Sequence, residues 1–269
     1  MNTNRDEIKF QFQFNLYKLM GLPIDDNDIQ RIASILDCDP VLLTEIDTEF
    51  KKQVSRMAAE VRKQFPKEIK MLASKRRKVI CIGDSITSDR KSYQKILQKA
   101  FNKADHVSFI DAAISGNTTK DLMDRFYSTI LNHRFNTAVI FIGTNDSRML
   151  HDGSFLPYTT LSEYENKVKY IINIIKKRKA DIYLITLPYI DIERLRAAFP
   201  ERNFYYSKEH IDCMNTLIRK IAGETSVGLI DLAKTLQSKE NVLEPDGIHI
   251  NSKAQTILAK MVLAEIAKV

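Results

Sequence analysis

The chain has 269 residues, 44% of them hydrophobic and 28% charged, and a formal net charge of +7. Those values describe an ordinary globular protein with room for one large α/β domain and a small appendage. No apolar h-region follows Arg5, Asp6, Glu7 and Lys9, and no run approaches the length of a membrane span, so neither a secretory signal nor a transmembrane helix is expected.

Three cysteines, Cys38, Cys81 and Cys213, lie far apart. Cys81 sits inside an apolar run, which points to buried free thiols in a reducing, cytoplasmic compartment. Basic and acidic residues balance over residues 1–75, so the whole excess of positive charge belongs to the rest of the chain. Such an excess suits anionic substrates or surfaces. The run Lys75-Arg76-Arg77-Lys78 lacks interleaved aromatics, so it reads as a solvated stretch and no nucleic-acid partner is expected.

Residues 1–74 read as a small all-α segment. Residues 8–16 alternate like a strand but, with Leu16, Leu19 and Met20, also fit a helix, and helix is the expectation. Asp25-Asp26 precede Ile29, Ile32, Ala33 and Leu36, a helical stripe with an acidic start. Asp39-Pro40 supplies an N-cap and a first-turn proline for a helix of some 25 residues. Its apolar face runs from Leu42 and Leu43 through Ile46, Phe50, Val54, Met57 and Val61 to Phe65, and Pro66 stops it. Phe10, Phe12, Phe14, Leu42, Ile46 and Phe50 need a partner surface: the larger domain, a second copy in a homodimer, or another protein docking there. A domain boundary is expected within residues 66–77.

From Lys78 the pattern changes. Apolar runs at 79–83, 107–114, 138–143, 182–188 and 227–232 alternate with helical stretches near 91–103, 118–132, 161–178 and 208–222, and a last helix lies near 251–268. Five short buried strands between amphipathic helices predict a three-layer α/β/α domain over 75–269 with a five-stranded parallel sheet. Right-handed crossovers put every strand's carboxyl end on one edge, where such folds build their sites.

Three of the runs end alike: Gly83-Asp84-Ser85, then Ile114-Ser115-Gly116-Asn117, then Gly143-Thr144-Asn145-Asp146. The chain has only eight glycines, so three of them at these points is informative; glycine permits tight turns and close approach of a ligand to backbone N–H groups. A fourth block, Glu244-Pro245-Asp246-Gly247-Ile248-His249, precedes the last helix. Asp and His three residues apart on one turn can face each other, the carboxylate accepting the Nδ1 proton and leaving Nε2 as a base. A serine at a strand end is inert unless it meets such a base and an oxyanion-stabilising group.

These four blocks, in this order, resemble the SGNH hydrolase superfamily (GDSL-type esterases and lipases) over residues 78–269, with Ile86 where the name-giving motif has leucine. The resemblance implies a flavodoxin-like SGNH hydrolase fold. It also implies Ser85 as nucleophile, His249 as general base and Asp246 as its orienting carboxylate, with an oxyanion hole from the N–H groups of Ser85 and Gly116 and the Asn145 amide. It does not reach the N-terminal helices. The blander readings are a helix N-cap for Ser85 and turn chemistry for Gly116 and Asn145. Asp84 and Asp146 are expected to brace loops.

Of the other histidines, His106 and His133 belong to the opposite sheet edge and His210 begins a helix beside no motif. His151 follows the third block but has no aspartate spaced behind it as Asp246 is behind His249. No metal-ligand cluster, phosphate loop or dinucleotide signature is present, so no cofactor or metal is expected. Two loops at the active edge, Ser147–Thr160 (Met149, His151, Phe155, Leu156, Tyr158) and Tyr189–Ser207 (Leu195, Phe199, Phe204, Tyr205, Tyr206 with Arg194, Arg196, Arg202), either pack onto the domain or shape an apolar pocket with a basic rim. The expected activity is hydrolysis of a small-molecule carboxylic ester: a short acyl ester, an acetylated sugar or a lysophospholipid-like compound. Acyl transfer on the same residues and a non-catalytic binding module are the alternatives.

Overall fold

A computed structural model of the chain describes residues 5–20, 24–101, 105–150, 156–201 and 205–268. Among them, no helix is long and apolar enough to cross a membrane.

Four helices come first: α1 (Arg5–Gln13), α2 (Ile29–Ile35), α3 (Pro40–Gln64) and α4 (Pro66–Ala73). The stretch 8–16 is not one helix. α1 stops at Gln13, Asn15 turns the chain in the left-handed region (φ 51°), and a 3-10 helix follows over Leu16–Met20. Asparagine tolerates that conformation better than most residues. Asp28, rather than Asp25 or Asp26, caps α2 by accepting from Arg31 N–H. Asp39 caps α3 through Val41 N–H with Pro40 in its first turn, and α3 ends just before Pro66. The interval 66–77 is mostly the helix α4 rather than an open linker.

The sheet strands are β1 (Arg77–Gly83), β2 (Val107–Asp111), β3 (Thr137–Phe141), β4 (Asp181–Ile185) and β5 (Gly228–Ile230). All neighbours pair in parallel, in the order β2-β1-β3-β4-β5. Val79–Ile82 and all of β3 are buried on both faces, as expected for continuous apolar runs covered by helices on either side. The ladders are shorter than the apolar runs: residues 112–114, for example, leave β2 to carry the second glycine block. The chain order reverses direction between β1 and β3, the switch point at which open α/β sheets leave a crevice beyond the strand ends.

The connecting helices are α5 (Ser85–Ser88), α6 (Tyr93–Ala100), α7 (Thr119–Arg125), α8 (Leu161–Lys176), α9 (Ile192–Ala198), α10 (Lys208–Glu224), α11 (Leu232–Leu236) and α12 (Ser252–Ile266). The stretch 118–132 divides into α7 and a π-helical turn, Phe126–Ile130. The short helices α4, α9 and α11 carry too few turns to stand out by periodicity.

α3 belongs to two cores at once. Its first half (Leu43, Ile46, Phe50) packs with Ile8, Phe12, Tyr17 and Ile32 in a small cluster. Its second half (Val54, Met57, Val61) joins Leu72 and the strands in the main core. Burying those four side chains is worth of the order of 10 kcal/mol, comparable to the whole stability of a typical domain. The helical segment is therefore packed into the rest of the molecule. The apolar residues singled out at the N terminus find partners within the chain: Phe12 and Phe14 are fully buried, as are Ile46 and Phe50.

Candidate active site

β1 ends at Gly83, whose backbone lies so close to its surroundings that a Cβ there would come within 2.4 Å of Thr87 Oγ1 and 2.5 Å of Phe141 O. Only glycine fits, and the chain can then turn directly into α5. Asp84 caps that helix by accepting from Ile86 N–H at 3.1 Å, which leaves Ser85 at the first helical position with its side chain partly exposed. The N-cap reading falls to Asp84, so Ser85 is free of that duty.

Ser85 Oγ lies 2.8 Å from His249 Nε2, and His249 Nδ1 lies 2.6 Å from Asp246 Oδ2. Asp246 Oδ1 also accepts from the N–H groups of Ile248 and His249, both at 3.0 Å, so the carboxylate is fixed by its own turn. Gly247 makes that turn possible. Its φ of +74° suits glycine, and a Cβ would strike Asp191 O at 2.4 Å. Asp191 N–H in turn donates to Gly247 O at 2.8 Å, tying the turn to the segment after β4.

Two opposed influences set the charge of this pair. Burial works against a charge on His249, but the Asp246 carboxylate outweighs it, with smaller help from Asp89 and Asp84, and holds the imidazole above its ordinary value. Burial likewise pushes Asp246 up, and the His249 charge together with three hydrogen bonds brings it below the usual carboxylate range. Asp84 shows the contrary case. Burial dominates and pushes its carboxyl up to about 7, and its Oδ2 has no hydrogen-bond partner among the described residues.

The second and third blocks come to the same edge. Ile114 N–H donates to Gly83 O at 3.3 Å, laying residues 112–116 beside the first block, and Gly116 adopts φ +76°. Asn145 Nδ2 donates to Asn117 O at 3.1 Å while its Oδ1 accepts from Arg148 at 3.4 Å. That pairing fixes which end of the amide points inward and leaves one of its N–H groups unused by Asn117. Asp146, fully buried, accepts from the Thr119 N–H and hydroxyl and so staples the third block to the start of α7. Asp84 and Asp146 both brace loops by these bonds.

His106 sits at the amino end of β2 with φ 53°, and His133 follows the π-helical turn, so both lie away from the edge that carries Ser85. His210 starts α10, where burial lowers its pKa. His151 lies outside the described residues, as do Phe155, Arg202 and Phe204 of the two loops. The described part of the first loop folds back as a finger in which Met149 pairs with Pro157 and Tyr205, leaving Leu150, Leu156 and Tyr158 exposed. In the second loop α9 forms, with Leu195 buried.

No sequence motif marks Phe14 as a site residue, yet its ring stacks on the His249 imidazole with centroids 3.8 Å apart. The only sequence signal was a cluster of N-terminal aromatics in want of a partner surface.

A model of the GDSL-like lipase/acylhydrolase family matches residues 81–257. The chain is 25% identical over 167 residues to an acetylxylan esterase of Geobacillus stearothermophilus, a match spanning 60% of this chain and 72% of that protein. A lipase/acylhydrolase from Enterococcus faecalis superposes with a TM-score of 0.59 at 24% identity, covering 71% of this chain and 96% of the other. An acetyl xylan esterase, AlAXEase, superposes at 0.57 with 24% identity, over 70% and 99% of the two chains. With the family model covering well over half of its length, and its sheet shared with these hydrolases, the chain belongs to the GDSL-like lipase/acylhydrolase family and is an ester hydrolase of that family.

Proposed function

We propose that the chain cleaves a short-chain acyl ester, with an acetylated sugar the favoured substrate class, through an acyl-enzyme formed on Ser85. The observation that carries this reading is the continuous chain from Ser85 Oγ to His249 Nε2 (2.8 Å) and from His249 Nδ1 to Asp246 (2.6 Å), set at the carboxyl edge of the sheet. Ser85 Oγ attacks the ester carbonyl carbon as its proton passes to Nε2. The carbonyl oxygen becomes an oxyanion facing the N–H groups of Ser85 and Gly116 and the Asn145 amide. The C–O bond to the alcohol then breaks, and the imidazolium returns its proton to the departing alkoxide. Water enters and its oxygen attacks the acyl carbon as His249 takes its proton. The bond from that carbon to Ser85 Oγ then breaks, the imidazolium returns the proton to Oγ, and the acyl group departs as a carboxylic acid.

Two observations favour a small acyl group on a sugar. Ser85 is only partly exposed, the ring of Phe14 stacks on its partner His249, and relatives of this chain include an acetylxylan esterase. With p-nitrophenyl acetate, Ser85→Ala should lose at least about 10⁴-fold in kcat with an unchanged thermal unfolding midpoint. Turnover retained in that variant overturns the assignment of the nucleophile. A panel from acetate to octanoate, with acetylated xylooligosaccharides alongside, tests the substrate class; a preference for the long chains overturns it.

A further inference from the structure

α1 and the turn after it lie outside residues 81–257, the span of the family match, yet they touch the proposed base. The Phe14 ring lies nearly parallel to the His249 imidazole, 21° between planes and 3.8 Å between centroids, and Phe10 presents its edge at 6.0 Å. Phe14 is 1% exposed.

Four consecutive residues hold it there. Phe12 O accepts from Arg90 Nε at 3.1 Å, and Gln13 O accepts from Arg90 N–H at 2.9 Å. Phe14 O accepts from the Ser115 hydroxyl, and Asn15 Nδ2 donates to Ser88 O. Ser88 and Arg90 lie directly beyond Ser85, and Ser115 directly precedes Gly116. The ring is thus referenced to the same two loops that carry the proposed nucleophile and one proposed oxyanion donor.

The hydrogen bonds of His249 to Asp246 and Ser85 lie in the plane of the imidazole. They define where its nitrogens point, but they resist tilting about the Nδ1–Nε2 line only weakly. A flat contact on the ring face resists that tilt directly. It also keeps water off the face.

We infer that Phe14 is a positioning residue for His249, setting the tilt of the imidazole and closing its face to water, so that the N-terminal segment completes the active site. The inference rests on His249 being the general base. The charged groups facing that ring are Asp246, Asp84 and Asp89, and a Phe14 variant changes none of them. Burial is the largest single influence on His249 and opposes its charge, although the Asp246 charge and hydrogen bond together outweigh it. Letting water in therefore raises the pKa of the base and moves the rising limb of kcat/KM to higher pH.

The test compares pH profiles, kcat and KM for Phe14→Leu, Phe14→Ala, Phe12→Leu and His249→Ala. Phe12 is equally buried in the same segment, but its ring stacks on Phe50 and lies under Arg90. Phe14→Leu should lower kcat roughly 10- to 100-fold, the scale of a small misplacement of a reacting group, with KM little changed. Phe14→Ala should in addition shift the rising limb upward. Phe12→Leu should lower the unfolding midpoint about as far as Phe14→Leu does, yet leave the profile in place. If Phe14→Leu keeps wild-type kcat, or if the Phe12 and Phe14 variants lose activity in parallel, Phe14 is only a packing residue and the inference is overturned. Where Phe14→Ala does not fold, the kcat of Phe14→Leu decides. Turnover retained in His249→Ala brings down the assignment of the base itself, and the inference with it. Loss in His249→Ala beside intact Phe14→Leu brings down the inference alone.

Discussion

The loops after β1, β2 and β3 hold their residues by local backbone geometry, whereas residues 10–19 reach the same place only through tertiary contacts. Gly83 is a close-packed turn, Gly116 has a positive φ, and Asp84 caps the helix that begins with Ser85. The Gly116 turn and the Asp84 cap are short-range features that a few neighbouring residues specify, and the Gly83 turn adds only the adjacent strand, through Phe141 O. The N-terminal segment turns at Asn15, beside Phe14, but that turn does not by itself carry the segment to the site. Its place depends on Arg90, whose guanidinium also donates to Tyr17 Oη, Asp26 O and Asp47. The first region is expected to govern rate, and the second both rate and stability.

The largest effect expected beyond the nucleophile itself is at Asp246. Asp246→Asn removes the carboxylate that lifts the His249 pKa, so the rising limb of kcat/KM should move to lower pH and kcat fall by roughly 10³–10⁴-fold. A pH–rate series measures both, and an unmoved limb would detach Asp246 from the chemistry. Next comes Asn145→Ala, expected to cost about 10²–10³-fold in kcat with little change in the unfolding midpoint. A proportionate loss of stability would instead make Asn145 a loop brace through Asn117.

Arg90→Met tests the second region. It keeps the apolar stem and removes bonds to four partners, and among the described residues it leaves the buried Asp47 carboxylate with Lys51 as its one ion-pair partner. Urea unfolding should show a loss of about 2–4 kcal/mol; a loss well under 1 kcal/mol would mean that apolar packing alone holds the segment.

The smallest expected effect is at Asp84. Its carboxyl is raised by burial, so the folded state binds the proton more tightly than the unfolded chain does, and stability falls as pH rises from about 4 to about 7. Asp84→Asn retains the cap on Ile86 N–H and has no charge to bury. Relative to wild type it should become steadily more stable as the pH rises from 4.5 to 8. Parallel unfolding curves at the two pH values would show that Asp84 ionises freely in the fold.

The same division explains what was legible in the sequence. The five strands, their parallel pairing and the four blocks were readable because each is written in a run of adjacent residues. Strand ends were overextended, as at 112–114, because an apolar run does not mark where the ladder stops and the loop begins. The turn at Asn15 was missed because the alternation of Phe10, Phe12 and Phe14 suits a continuous element as well as a broken one. The stack of Phe14 on His249 was out of reach altogether: no local pattern reports a contact between the two ends of a fold.

Gln13 and Glu244 share a hydrogen bond although 231 residues separate them. Closing so long a loop carries a high entropic cost and waits until shorter-range structure exists to receive it. The seat for α1 requires the β1 turn, the β2 loop and the His249 turn to be in place together. On refolding from denaturant, helical signal should therefore return before esterase activity, with the delay set by docking of α1 and the turn after it rather than by formation of the sheet.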